Sequence, residues 1–142
     1  MVRRPDPDGA LRLLLVRHGE TDWNKTGRYQ GAADVPLNPS GGAQVRTLAR
    51  HLASERLDGI VSSPLQRARR TAEAIAALHR LPVRLDTRVQ EIGFGLWEGL
   101  TFHQIREQDP ERLRSWLDDP LRVSPPEGES LAQVAGRIAR AL

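Results

Sequence analysis

Short apolar runs alternate with longer stretches of helical periodicity along this chain, and that alternation restricts the fold more than any other feature. Leu11 to Val16, Gly59 to Ser62 and Val83 to Leu85 read as short strands. Between and after them, Val45, Leu48, Ala49 and Leu52, then Leu65, Ala68, Ala72 and Ile75, recur at the spacing of a helix with one buried face. Strand, helix, strand, helix, strand in that order predicts an α/β fold with a mostly parallel sheet flanked by helices, because parallel neighbours need a crossover and a helix is the usual one. The run at 11–16 lacks alternation, as expected of a strand covered on both faces.

Punctuation divides the rest. Residues 19–42 hold five glycines and two prolines and predict a long loop. Ser63-Pro64 predicts a helix start, with serine capping free amides and proline tolerated in the first turn, and the helix is expected to reach Leu78. A weaker helical stretch over about 101–117 is interrupted by Pro110. Pro120, Pro125 and Pro126 mark a surface connection, and Ser130-Leu-Ala-Gln133 fits a capping box opening a last helix with Leu131, Val134, Ala135, Ile138 and Leu142 on one face. With 142 residues one domain is expected, 11–142, after a flexible lead at 1–10.

Composition excludes several classes. The absence of cysteine removes thiolate nucleophiles, disulfides and Cys-containing zinc sites. A net charge of +3 with a pI near 10.4 reflects arginines scattered among apolar residues, not a clustered stripe, so no nucleic-acid partner is expected. The amino-terminal apolar run is too short for a signal sequence or a membrane span, which predicts a cytoplasmic protein with no membrane partner. Nothing in the sequence indicates an oligomeric state.

The chemistry concentrates at the expected strand ends. If the first two strands are parallel neighbours, Arg17-His18 and the segment Ser62 to Arg67 converge at one sheet edge, where open α/β sheets bind ligands. Arg67 in a helix first turn would stand beside the positive helix end, a favourable setting for phosphate. Two nearby cations would disfavour protonation of His18 and leave it a potential nucleophile.

Five blocks, Arg17-His18-Gly19-Glu20-Thr21 with Asn24, Tyr29-Gln30-Gly31, Pro36-Leu37-Asn38, Ser62 to Ala68, and Glu91 before Gly95-Leu-Trp97-Glu98-Gly99, resemble the histidine phosphatase (phosphoglycerate mutase-like) superfamily, over residues 11–101 and in the family order. The resemblance implies a three-layer fold and a phosphoric monoester hydrolase acting on a small phosphorylated metabolite. It makes His18 the nucleophile, Arg17 and Arg67 the phosphoryl clamps and Glu91 the proton donor. Thr21, Asn24, Gln30 and Gly31 would line the pocket, and neither metal nor cofactor is implied. Val89-Gln90-Glu91-Ile92 and Gly95-Leu-Trp97 resemble the phosphatase branch more than the mutases.

The resemblance also implies a second pocket histidine in a later Ala-His-Gly-like segment, which this sequence lacks. The chain is therefore expected to be the amino-terminal portion of such a domain, truncated at the carboxyl terminus and with an exposed apolar strand edge. A phosphoglycerate mutase-type phosphotransferase and a non-catalytic phospholigand-binding module are the alternatives. His51, His79 and His103 match no motif and are expected to be exposed structural residues.

Overall fold

The computed structural model describes residues 12–141, in the order α1 (Asp22–Lys25), α2 (Pro39–Leu52), β1 (Ile60–Ser62), α3 (Gln66–His79), β2 (Val83–Leu85), α4 (Phe102–Gln108), α5 (Pro110–Asp118) and α6 (Leu131–Ala139). Strands β1 and β2 are parallel, with Ile60 opposite Val83, Val61 opposite Arg84 and Ser62 opposite Leu85. Helix α3 is the crossover between them and packs on both strands and on α2. The α/β reading of the middle of the chain is thus the observed one. The expected lead at 1–10, Leu11 and Leu142 lie outside the described residues.

Two expectations fail. Residues 12–16 form no strand: they pair with nothing in the two-stranded sheet, and Leu13, Leu14, Leu15 and Val16 are exposed, Leu15 by 94%. Strand geometry is held by a hydrogen-bonded neighbour, and an apolar run without one has no reason to stay extended and flat. The second failure is the start of α3, which begins at Gln66 with Leu65 at the N-cap. Ser63 instead closes a local turn, its Oγ accepting from the Leu65 amide at 3.2 Å.

Elsewhere the local signals are realised, with small shifts. Asn38 caps α2 through the Gly41 amide at 2.8 Å and Pro39 occupies the first helical position, so the helix starts inside the segment expected to be loop. That segment also contains α1, capped by Thr21. Pro110 splits the 101–117 stretch into α4 and α5 by opening the second helix. Ser130 and Gln133 form the expected capping box of α6, yet no side chain of that helix is buried.

Apolar burial occurs in two places. Val45 and Ala49 of α2 and Ala72, Ile75 and Ala76 of α3 are buried on those two packed helices. The other cluster joins Phe94, Trp97, Ile105 and Leu113, flanked by Tyr29, Ile92, Leu100 and Trp116. Its rings meet edge to face, Tyr29 with Phe94 at 4.7 Å and Trp97 with Trp116 at 5.8 Å, the arrangement aromatic quadrupoles favour. Trp97 donates from Nε1 to Asp109 Oδ2 at 3.1 Å, which fixes the glycine-rich turn against α4 and α5.

Truncating Ile105, fully buried, to alanine should therefore cost about 2–5 kcal/mol of unfolding free energy. Leu117→Ala, at a side chain 53% exposed, should stay within about 0.5 kcal/mol. Urea denaturation compares the two; similar losses would show that the aromatic cluster is not the packed core described here.

Candidate active site

His18 lies on a segment without regular secondary structure, and α3 holds that segment in place. The Gly19 amide donates to Thr71 Oγ1 at 3.3 Å, and the same hydroxyl donates to the Arg67 carbonyl at 2.7 Å. The His18–Gly19 segment and the first turns of α3 are thus brought together without the strand pairing expected to do it, and the charges of both Arg17 and Arg67 act on His18. Gly41 completes the anchorage from α2: a Cβ there would stand 2.0 Å from the Glu20 carbonyl, so only glycine permits the approach.

His18 Nδ1 lies 2.7 Å from the Gly19 carbonyl. A carbonyl oxygen can only accept, so Nδ1 carries the proton and Nε2 of the neutral ring keeps its lone pair. Burial depresses the His18 pKa below the ordinary imidazole value and is the largest cause; the Gly19 hydrogen bond and the Glu91 charge oppose it, while Arg67 and Arg17 add to it. The direction is the one expected from the two cations, but desolvation outweighs both of them.

Arg67 is buried, with 1% of its side chain exposed. Nη1 donates to the Ala33 carbonyl at 2.7 Å, and Nη2 donates to the Gly31 carbonyl at 2.7 Å and to Glu91 Oε2 at 3.0 Å. Gly31, at φ +54°, needs the left-handed region, and a Cβ would also meet Glu98 Oε1 and the Phe94 amide. Glu98 ties the same turn down, accepting from Ala32 at 2.8 Å and from Phe94 at 3.0 Å.

The positive end of α3 is not left open as expected. Asp34 accepts from the Gln66 amide at 2.6 Å and from the Gln66 side chain at 3.1 Å, placing a carboxylate where helix dipoles favour one. Arg17 is exposed and makes no hydrogen bond among the described residues. The two arginines therefore differ in kind: one is locked into the fold, the other is exposed.

The remaining residues expected in the pocket divide. Thr21 is fully buried and caps α1 through the Asn24 amide, and its hydroxyl lies 2.8 Å from Gln30 Oε1. Asn24 Oδ1 in turn accepts from the Thr21 amide at 3.0 Å. Thr21 and Gln30, both buried, and the half-buried Asn24 thus make one polar knot beside the Gly31 turn, and Gly31 meets Arg67 through its carbonyl. Glu91, with 42% of its side chain exposed, lines a cavity of about 430 Å³ that Ala32, Gly93 and Arg137 also border. Among the described residues no cluster of His, Asp and Glu is grouped to hold a metal ion, and no helix is long and apolar enough to cross a membrane.

Several contributors were not anticipated. Asp34, Thr71, Glu129 and Arg137 act through partners 4 to 52 positions away, and of these only the Thr71–Arg67 spacing is a local signal. His79 also departs from expectation, being partly buried with Nε2 3.1 Å from the Leu52 carbonyl at the end of α2, whereas His51 and His103 are exposed.

Comparison with known proteins bears on this constellation. The family model of the histidine phosphatase superfamily, branch 1, matches residues 13–142. The chain is 43% identical over 128 residues to phosphoserine phosphatase 1 of Hydrogenobacter thermophilus, covering 90% of this chain and 61% of that protein. It is 36% identical over 132 residues to a Photorhabdus laumondii protein named as a probable phosphoglycerate mutase, covering 93% and 61%. A mycobacterial glucosyl-3-phosphoglycerate phosphatase structure superposes with a TM-score of 0.80 at 38% identity, covering 87% of this chain and 61% of its own. The chain thus spans about three fifths of the length of these relatives.

A lowered His18 pKa makes stability depend on pH. Between the lowered midpoint and the ordinary one the unfolded chain binds the proton more readily, so stability should fall as pH falls through that window. Denaturant unfolding of wild type and His18→Gln across it should show the wild type alone losing this contribution; parallel profiles would contradict the assignment.

Proposed function

The chain belongs to branch 1 of the histidine phosphatase superfamily, and on that premise we propose that it serves the hydrolysis of a small phosphorylated metabolite in the cytoplasm through a phosphohistidine on His18. The observation that carries this reading is the half-buried imidazole whose Nδ1–H is spent on the Gly19 carbonyl, leaving Nε2 as the nucleophilic atom, beside the electrostatic influence of Arg67, Glu91 and Arg17.

In the first step the Nε2 lone pair forms a bond to phosphorus while the ester P–O bond breaks, and the Glu91 carboxyl gives its proton to the departing oxygen. In the second, water attacks the phosphohistidine, Glu91 takes up the water proton, and the P–N bond returns its electrons to His18. Arg17 offers an exposed guanidinium to the phosphoryl oxygens. Arg67 holds Glu91 and the Gly31 turn, and its Nε–H is not among the donors those contacts use. The role of Thr21, Asn24 and Gln30 is to fix the floor of the pocket, with the Gly31 turn at its rim. The domain carrying this chemistry is taken as 11–142.

Names among the relatives support a phosphorylated small molecule as the substrate class, whether the relative is named a phosphatase or a mutase. Hydrolysis is preferred to transfer here because Gly95-Leu-Trp97-Glu98-Gly99 and Val89-Gln90-Glu91-Ile92 resemble the phosphatase branch.

Turnover of a series of aryl and alkyl phosphates tests these roles. His18→Ala should abolish it throughout. Glu91→Gln should slow poor leaving groups on the order of 10²–10⁴-fold and good ones far less, because only the former need a proton. Equal slowing across the series would remove Glu91 as the acid, and turnover by His18→Ala would remove the covalent mechanism.

A further inference from the structure

Glu91 sits in a stretch, 91–94, that belongs to no helix or strand, and its side chain is partly exposed. A proton donor so placed would lose its aim unless something outside the stretch held the backbone. Arg137, on α6, supplies that hold. Its Nη1 donates to the Arg88 carbonyl at 2.9 Å and to the Gln90 carbonyl at 2.6 Å, and its Nη2 donates to the carbonyl of Glu91 itself at 2.9 Å.

The guanidinium is itself fixed. Glu129 accepts from Arg137 Nε through Oε1 and from Nη2 through Oε2, both at 2.8 Å, a two-point pairing of planar groups. Those hydrogen bonds hold the Glu129 carboxyl below the usual carboxylate range. Glu129 also reaches past Glu91: its Oε2 accepts from the Gly93 amide at 2.9 Å and its own amide donates to the Gly93 carbonyl at 2.8 Å. The segment is thus gripped on both sides of Glu91, while Arg67 takes the carboxylate from α3. The neighbouring Arg88 side chain is engaged by Asp86, Oδ2 accepting at 2.6 Å, and its Nη1 donates to the Arg140 carbonyl at the end of α6, so it reaches no carbonyl of the Glu91 stretch itself.

We infer that the Glu129–Arg137 pair is a positioning device for Glu91, setting the direction of its carboxyl toward His18 through the backbone carbonyls of 88, 90 and 91. Arg137 touches no reacting atom in this account and acts only through Glu91. The inference rests on the acid role proposed above for its catalytic consequence, and on geometry alone for its structural one.

The test uses the full chain and reads His18 first, because that titration needs no turnover. Of the charged groups acting on the His18 ring, Glu91 raises its pKa and Arg67 and Arg17 lower it. Loss of the Glu91 position should therefore lower the midpoint. Loss of a mere distant cation would raise it. By proton NMR, Arg137→Lys and Arg137→Met should both lower the His18 midpoint, in the direction of Glu91→Gln, and neither should lower it further in a Glu91→Gln background. A rise or no change in both variants, with native-like folded spectra, would overturn the inference; Arg137→Lys, which keeps the charge, serves if the methionine variant does not fold.

Kinetics then separate this claim from the proposed function. Arg137→Lys should reduce kcat for an alkyl phosphate on the order of 10- to 100-fold, with KM little changed and an aryl phosphate of good leaving group much less affected. Uniform loss on both substrates would contradict positioning. If the wild type forms no phosphohistidine, the hydrolase reading fails while the His18 titration still decides the role of the pair.

Discussion

The buried Arg67 guanidinium is the interaction on which the site depends. A cation taken out of water costs several kcal/mol unless its donors are matched, and here the Gly31 and Ala33 carbonyls and the Glu91 carboxylate meet it from two separate loops. The backbone of the same residue accepts from Thr71, which also holds Gly19. One residue on α3 therefore fixes the Gly31 turn, the Glu91 side chain and, one step removed, the His18–Gly19 segment. Because its charge has no other partner of opposite sign among the described residues, removal of Glu91 would leave a buried cation on two carbonyl dipoles.

That arrangement explains why the site forms although residues 12–16 are not a strand. The usual positioning of ligands at strand ends relies on the sheet; in this chain β1 and β2 carry α3, and α3 carries the hydrogen bonds. Burial then does the electrostatic work on His18, lowering its proton affinity more than the neighbouring cations do. The Gly19 carbonyl selects which nitrogen is left free. The chemistry of the imidazole is thus set by local backbone geometry, and its surroundings by a helix far along the sequence.

What the sequence made legible was whatever is encoded locally. The capping box at Ser130 and Gln133, the split at Pro110 and the α2–β1–α3–β2 order follow from patterns a few residues long. The motif blocks mark His18, Arg17, Arg67 and Glu91 from sequence alone. Ser63 misled because a serine before proline can cap a helix or close a turn with equal local logic, and here it closes the turn. Arg137 and Glu129 were invisible for the opposite reason: an arginine on a helix face looks solvated until its partners, 46 to 49 positions earlier, are known. The apolar run at 12–16 has the composition of a buried strand but no strand neighbour among the described residues.

The proposed hydrolysis turns on transfer of the phosphoryl group to Nε2 of His18. Phosphorus NMR of the protein mixed with an aryl phosphate and quenched in alkali, where phosphohistidine survives, distinguishes phosphorylation at Nε2 from that at Nδ1. The Nε2 isomer on His18 alone is expected, abolished in His18→Ala. A Nδ1 isomer, or a phosphorylated residue other than His18, would contradict it.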